Sequence, residues 1–339
     1  DWICSQLAVL RVGAAYVPFD PKLGPDRLSL IAKDCQPVAI LVDPHTKGDS
    51  FIAGLPTPAP AVIDVATLPS TYGTGALPNS ATPDGAAVII YSSGSTGRPK
   101  GIVLSHAGIA NYADVAPPIW GLREGREVFL NQASYSFDIS LQQSIVALGI
   151  GSTVVVVGDQ ARGDPAALSQ LIADEGVTVT GATPTEYQTW ARHWDPELLR
   201  RSQWRHAFTW GEPITRQQVR EFRLLDVAAL RVIDAYGPAE ATITSAHGDV
   251  SLDATDGPES PRSPLSVTPN GSVYIVDEKL NPVPAGVPGE IVLGGAAVAK
   301  GYLNDEALTV ERFIHDRFAS PYFKSKGWTL PIAREIEAS

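Results

Sequence analysis

The sequence predicts an α/β protein in which two layered α/β subdomains precede a partial, smaller β-rich one. Three observations lead there. Up to about residue 250, short apolar runs of strand length alternate with stretches of helical periodicity, the pattern of parallel strands joined by crossover helices. After Leu252 the texture changes to brief strand-like runs separated by turns and prolines. The chain has 339 residues, 44% of them hydrophobic, enough for a large core divided among two or three subdomains.

The elements follow in order. Residues 7–12 read as a helix end stopped by Gly13, and 15–19 as a short strand closed by Pro18 and Pro21. Residues 27–34 are expected as helix and 38–42 as strand. The stretch 56–83, dense in proline, threonine, alanine and glycine, reads as a linker between subdomains. Strands are then expected at 86–91, 128–132, 153–157, 177–181, 207–210 and 232–235, with helices such as 140–148, 165–175 and 216–223 between them. Short strands at 272–276 and 290–293 belong to the β-rich part. The expected boundaries are 1–85 for part of the first α/β subdomain and its linker, 86–250 for the second, 251–328 for the β-rich subdomain and 329–339 for a divergent tail.

The segment with the most chemistry leaves the strand 86–91. It reads Ser92-Ser93-Gly94-Ser95-Thr96-Gly97-Arg98-Pro99-Lys100-Gly101. Glycines let backbone N–H groups close on an anion, hydroxyls and a lysine add donors, and a following helix N-terminus would add its dipole. The composition suits a phosphate-gripping loop, although Lys100 precedes Gly101 and not Ser or Thr, so it is not the Walker pattern.

This string resembles the signature loop of the adenylate-forming (AMP-binding) enzymes, which include acyl-CoA synthetases, luciferases and adenylation domains of nonribosomal peptide synthetases. Other segments support that likeness. Leu10-Arg11-Val12-Gly13-Ala14-Ala15-Tyr16-Val17-Pro18-Phe19-Asp20 resembles a segment of the peptide-synthetase branch. Tyr236-Gly237-Pro238-Ala239-Glu240, by itself a turn after a strand, is similar to the family's N-x-Y-G-P-T-E motif. Gly289-Glu290-Ile291-Val292-Leu293-Gly294-Gly295, running on to Gly301-Tyr302-Leu303, resembles a further segment of that branch, with a scaffolding role expected of its short strand.

The resemblance implies the N-terminal core of the adenylate-forming fold, with ATP and Mg²⁺ as its nucleotide and metal. Ser92, Ser93, Gly94, Ser95, Thr96, Gly97 and Lys100 would hold phosphates, Tyr236 and Gly237 the adenine side, and Glu240 the magnesium, a hard cation suited to oxygen ligands. Lys100 and Glu240 are thereby the catalytic candidates. Gly211 and Glu212 would flank the adenine, with Asp234 and Ala235 before the tyrosine. Asp234 stands where the family has asparagine, and Ala239 where it has threonine; losing that hydroxyl weakens transition-state binding by about 1.5–3 kcal/mol.

Substrate choice falls on Tyr135-Ser136-Phe137-Asp138-Ile139-Ser140. Taken alone, Asp138 or Ser140 is an ordinary helix N-cap. In the resembling domains the aspartate pairs with the α-ammonium of an amino acid, since a buried carboxylate needs a cation. Matching the motifs puts Ile139, Gln142, Gly181, Phe208, Trp210, Ala235, Ile243 and Thr244 around the remaining pocket, which points to a neutral side chain of unfixed size. The implied function is ATP-dependent conversion of an α-amino acid to its aminoacyl-adenylate, then loading onto the phosphopantetheine of a carrier domain, with peptidyl carrier and condensation domains as partners. The alternatives are a CoA-ligase-type member and a truncated, non-catalytic binding remnant.

Composition agrees. A formal charge of −11 and a pI near 5.0 argue against a nucleic-acid surface. Cys4 and Cys35 are too few for a disulfide framework. No apolar run approaches the ~20 residues of a membrane span, and no secretory leader is visible, so no membrane partner and a cytoplasmic location are expected. Residue 1 already falls within the resemblance, and the expected Y-R-T-G-D does not follow Trp328. By that resemblance an N-terminal portion and the mobile C-terminal subdomain with its lysine are absent, and the isolated chain is expected to be weak or inactive.

Overall fold

The computed structural model describes residues 2–48, 50–55, 58–68, 79–93, 98–253, 265–325 and 331–334. Its centre is a seven-stranded sheet. The strands, numbered with all others in chain order, are β1 (Ala39–Val42), β2 (Ala61–Asp64), β3 (Ala86–Ser93), β4 (Pro99–Ser105), β5 (Val128–Asn131), β6 (Thr153–Val156), β7 (Val179–Ala182), β8 (His206–Thr209), β9 (Arg231–Tyr236), β10 (Ala246–Val250), β11 (Ser266–Val267), β12 (Gly271–Val276), β13 (Glu290–Gly295), β14 (Phe313–His315) and β15 (Pro331–Arg334). The large sheet has the order β11-β10-β9-β8-β7-β5-β6. Its run from β6 to β9 is parallel, and β10 and β11 add antiparallel at one edge.

Both faces of this sheet are covered, as parallel strands require. Alternate residues separate the two cores: Phe129, Val179, Phe208 and Ile233 face one, Leu130, Ala182, Ala207 and Val232 the other. The second core is closed by helices Pro165–Asp174, Pro184–Ala191, Pro196–Arg201 and Arg216–Leu225. The first three begin with proline behind an N-cap side chain, Asp164, Thr183 or Asp195. There a missing N–H costs nothing and a carboxylate or hydroxyl accepts the orphan amides. The first core is closed by helix His106–Ile119, by the helical segment beginning Ile139–Leu141, and by the β3–β4 hairpin.

Several expectations change. The segment 15–19 is not a strand: only Tyr16 pairs, with its N–H on the Ala87 carbonyl and its carbonyl taking the Ile89 N–H, because Pro18 offers no donor to continue the ladder. The linker 56–83 contains β2, parallel to β1, and a 3₁₀ turn Val65–Thr67. After the glycine-rich loop the chain returns as β4, antiparallel to β3, and the next helix starts only at His106. Among the described residues, no helix N-terminus therefore directly follows that loop. β3 also lies outside the large parallel sheet that its position in the alternation implied. The 140–148 helix is helical at Ile139–Leu141 and Ala147–Gly149 with a π turn Gln142–Val146 between. In the C-terminal part, β12-β13-β15-β14 form a four-stranded antiparallel sheet, so Pro331–Arg334, within the segment set apart as a tail, is a paired strand.

Candidate active site

Strands β5, β7, β8 and β9 are parallel, so the segments leaving their C-terminal ends meet along one edge, the usual place for a ligand in such sheets. Those segments carry Asp138, Thr183-Pro184, Trp210-Gly211 and Tyr236-Gly237. The loop before Asp138 is tightly held. Arg162 donates to the Gln132 and Ala133 carbonyls and lies 5.1 Å from the Tyr135 ring centroid, which stacks on Trp2 at 4.3 Å. Ser134 donates to the Asp20 carboxylate.

Asp138 does not cap its own helix. Its Oδ2 instead accepts the Ile243 N–H at 3.1 Å, from a residue 105 positions along the chain. That amide is aimed by unusual backbone: Thr242 and Ile243 have φ of 50° and 71°, the left-handed region that β-branched residues avoid. The turn is held by Thr242 Oγ1 donating to the Ala297 carbonyl and by Ser245 N–H donating to the Tyr236 carbonyl. Gly237 is required beneath it, because a Cβ there would lie 2.7 Å from the Ile243 carbonyl oxygen. Burial pushes the Asp138 carboxyl up to about 6; the Ile243 amide opposes the rise and the Glu240 charge adds to it.

The pocket candidates share the first core's sheet face. Gly181, Phe208 and Ala235 sit on neighbouring strands there, with Trp210 just beyond β8 and stacked on Phe208 at 5.4 Å. A Cβ at Gly181 would overlap the Trp210 ring, so the space that glycine releases is taken by tryptophan. The Gly181 carbonyl accepts from Gln132 and Gln143. Ile139 packs at the edge of this core and Ile243 within it. Gln142 and Thr244 are joined by a residue the sequence did not single out: Tyr112 Oη lies 2.7 Å from Gln142 Oε1 and 3.2 Å from Thr244 Oγ1.

Glu240 occupies the 3₁₀ turn Ala239–Ala241 after β9. Its Oε1 accepts the Tyr302 hydroxyl at 2.8 Å, and Lys100 Nζ stands 5.6 Å from that ring's centroid. The segment around Tyr302 pairs with β4: Val103 N–H donates to the Gly301 carbonyl, and Leu303 N–H to the Gly101 carbonyl. Ser92 faces Lys100 across the hairpin. The stem of the glycine-rich loop, Glu240 and Asp138 therefore come together in one region. Gly94, Ser95, Thr96 and Gly97, and the side chain of Ser93, lie outside the described residues.

Asp234 faces away from the pocket, where Thr209 Oγ1 donates to its Oδ1 at 3.3 Å. Tyr236 ends β9 and is half-buried; Gly211 and Glu212 are exposed, and Glu212 accepts from Thr185. For a divalent cation, Glu240 offers a single carboxylate with one oxygen engaged by Tyr302. Among the described residues no group of three His, Cys, Asp or Glu side chains could hold a metal alone. That donor set fits Mg²⁺ held chiefly by phosphate oxygens and water. Among the described residues no helix is long and apolar enough to cross a membrane.

The chain resembles known proteins along nearly its whole length. A polyketide synthase-nonribosomal peptide synthetase of Aspergillus clavatus is 43% identical over 329 residues, 97% of this chain and 8% of that protein. The hybrid PKS-NRPS synthetase poxE of Penicillium oxalicum is 40% identical over 334 residues, again covering 8% of its length. The chain thus spans less than a tenth of these relatives. Among solved structures, the nonribosomal peptide synthetase FmoA3 in its AMPPNP-bound form matches with a TM-score of 0.82 at 25% identity, covering 98% of this chain and 34% of that one. The Klebsiella oxytoca NpsA N-terminal subdomain, in complex with 3-hydroxybenzoyl-AMSN, shares the fold with a TM-score of 0.75 at 24% identity, covering 97% and 78%. A model of the family described as AMP-binding enzyme matches residues 1–303, and with these relatives it shows that the chain belongs to the AMP-binding enzyme family, among the adenylation domains of nonribosomal peptide synthetases.

Proposed function

We propose that this chain activates an α-amino acid with MgATP and serves the loading of a carrier domain in a larger synthetase. The observation that carries the reading is Asp138. A carboxylate with burial-raised affinity for protons, accepting the Ile243 N–H, is stabilised by a cation at that place. The α-ammonium of an amino acid supplies one. With the ammonium on Asp138, the substrate carboxylate faces the region where the stem of the phosphate loop and Glu240 meet.

The reaction forms a bond from a substrate carboxylate oxygen to the α-phosphorus and breaks the bond from that phosphorus to the β-bridging oxygen, which leaves with pyrophosphate. Mg²⁺ bound to the phosphates would neutralise their charge. Glu240 would hold that ion, with its carboxylate fixed by the Tyr302 hydroxyl. Ser92 and Lys100 frame the loop that would grip the phosphates, Tyr236 would lie against adenine, and Gly211, Glu212, Asp234 and Gly237 would flank it. The aminoacyl group then passes to a phosphopantetheine thiol of a carrier domain, releasing AMP. Relatives that are multidomain PKS-NRPS synthetases support carrier and condensation partners.

The test is amino-acid-dependent exchange of pyrophosphate into ATP by the full-length protein that carries these residues. Asp138→Ala is expected to reduce exchange at least tenfold, through KM for the amino acid and with little change in KM for ATP. Unchanged exchange in that variant defeats the pocket assignment, and turnover with CoA as preferred acceptor moves the chain to the CoA-ligase type.

A further inference from the structure

Strand pairing of β5 stops at Asn131, opposite Val156, yet the backbone groups of the next two residues all have partners. Gln143 Oε1 accepts both N–H groups, at 3.2 Å from Gln132 and 3.0 Å from Ala133. Arg162 Nη1 donates to both carbonyls. Two side chains thus take the place of the missing ladder.

Backbone partners leave no choice of orientation. A backbone N–H only donates and a carbonyl only accepts, so the Gln143 oxygen faces the two amides and its nitrogen faces the Gly181 carbonyl at 2.8 Å. Reversing that amide would set N–H against N–H twice and oxygen against oxygen once. Arg162 has no acceptor, and its Nη2 donates to the Val157 carbonyl and to the Tyr135 hydroxyl, each at 3.3 Å. Gln143 is 2% exposed and the Arg162 side chain 10%, so water has little access to replace either. Both grip the base of one loop. Residues 132–143 leave the sheet, turn at 135–136 and return as the helical segment whose π turn carries Gln143. Gln143 therefore closes this loop on itself, with Asp138 between the ends. Neither clasp donates to the Asp138 carboxylate, which accepts the Ile243 N–H from a distant part of the chain.

We propose that Arg162 and Gln143 are positioning residues for substrate recognition: by holding the N–H and carbonyl groups of Gln132 and Ala133 from two sides, they set the place of Asp138 and, through it, the affinity for the α-ammonium of the substrate. This rests on the amino-acid reading of the site. Arg162 reaches in from the turn after β6, while the nucleotide-side candidates Lys100, Tyr236 and Glu240 stand on β4, on β9 and on the 3₁₀ turn that follows it. Loosening the clasp therefore weakens amino-acid binding and spares ATP.

The experiment is pyrophosphate exchange by the full-length protein, with Arg162→Lys and Gln143→Leu each made alone and together with Asp138→Ala. Arg162→Lys keeps the charge but gives up the planar fork that engages the carbonyls and Tyr135 together. Each single variant is expected to raise KM for the amino acid by about fivefold or more, with KM for ATP changed by less than about twofold. In the Asp138→Ala background the same changes are expected to raise KM for the amino acid by less than about twofold, because the group they place is gone. A general loss of stability would act alike in both backgrounds. If Gln143→Leu does not fold, the Arg162→Lys comparison decides. Single variants with unchanged KM for the amino acid, or penalties that multiply in full with that of Asp138→Ala, overturn the proposal and leave the amino-acid reading standing. Unchanged exchange in Asp138→Ala itself overturns that reading and the proposal with it.

Discussion

Gly181 and Trp210 occupy one volume, and neither can change alone. A Cβ at position 181 would overlap the indole, whose own place is fixed by stacking on Phe208 and by Thr244. Gly181→Ala is therefore expected to cost about 1–3 kcal/mol, the usual range for overpacking. Shortening the ring in the same molecule, with Trp210→Phe, should return part of that loss. A denaturant double-mutant cycle reads it as a double variant less destabilised than the sum of its parts; strict additivity would show that the residues do not share space. Motif matching named both residues, but their competition was invisible, because which side chain fills a glycine's gap depends on the pairing of β7 with β8. Tyr112 was missed for a related reason. It sits in the apolar pattern of helix His106–Ile119, where an aromatic reads as core, and only the fold brings it to residues 30 and 132 positions away.

At the scale of elements, the strands of the parallel sheet were legible because they read as short apolar runs, the inner ones β5, β7, β8 and β9 being largely buried. β4 was not, since its first residues, Pro99, Lys100 and Gly101, carry turn composition and were absorbed into the loop motif. The sheet's other end has a polar fastening that no motif announced. Glu127, fully buried, precedes β5; it accepts from Arg205 at 2.6 Å and from the Thr178 hydroxyl at 2.6 Å, and takes the Arg123 N–H at 2.9 Å. Burial opposes its ionisation, yet Arg205, Thr178 and the Arg123 amide outweigh that and hold the carboxyl below its ordinary range. Its stabilising effect is thus present above the usual carboxylate range and lost as pH falls through the depressed value. Glu127→Gln leaves Arg205 facing an uncharged partner at the start of β8 and should destabilise the chain by about 3–5 kcal/mol. Chemical denaturation measures it; a loss under 1 kcal/mol would mean that water solvates Arg205 adequately without the carboxylate.

Over the whole molecule, two kinds of buried group pull stability in opposite directions with pH. His206 is held down to about 4, chiefly by burial, with Arg231 and Arg205 adding to the effect and Glu127 opposing it; burial lowers His106 and His247 as well. The unfolded chain takes up protons on these imidazoles from about pH 6.5 while the folded chain resists, so stability falls as pH drops toward 4. Asp138 acts the other way. Its folded value of about 6 lies above the ordinary 3.8, so the folded state takes the proton first and stability rises across that same interval. The shift is worth about 3 kcal/mol. At neutral pH the ionised carboxylate is a cost borne by the fold, consistent with a group reserved for a ligand cation. Asp138→Asn mimics the protonated acid and keeps an oxygen for the Ile243 N–H. The variant should be more stable than the wild type by about 3 kcal/mol at pH 7, with the difference closing near pH 4. Thermal unfolding across that range, with no amino acid present, would reveal two curves that converge on acidification. Parallel curves would mean that solvent already satisfies the Asp138 charge in the folded state, and the argument for a cation at that site would fail with it.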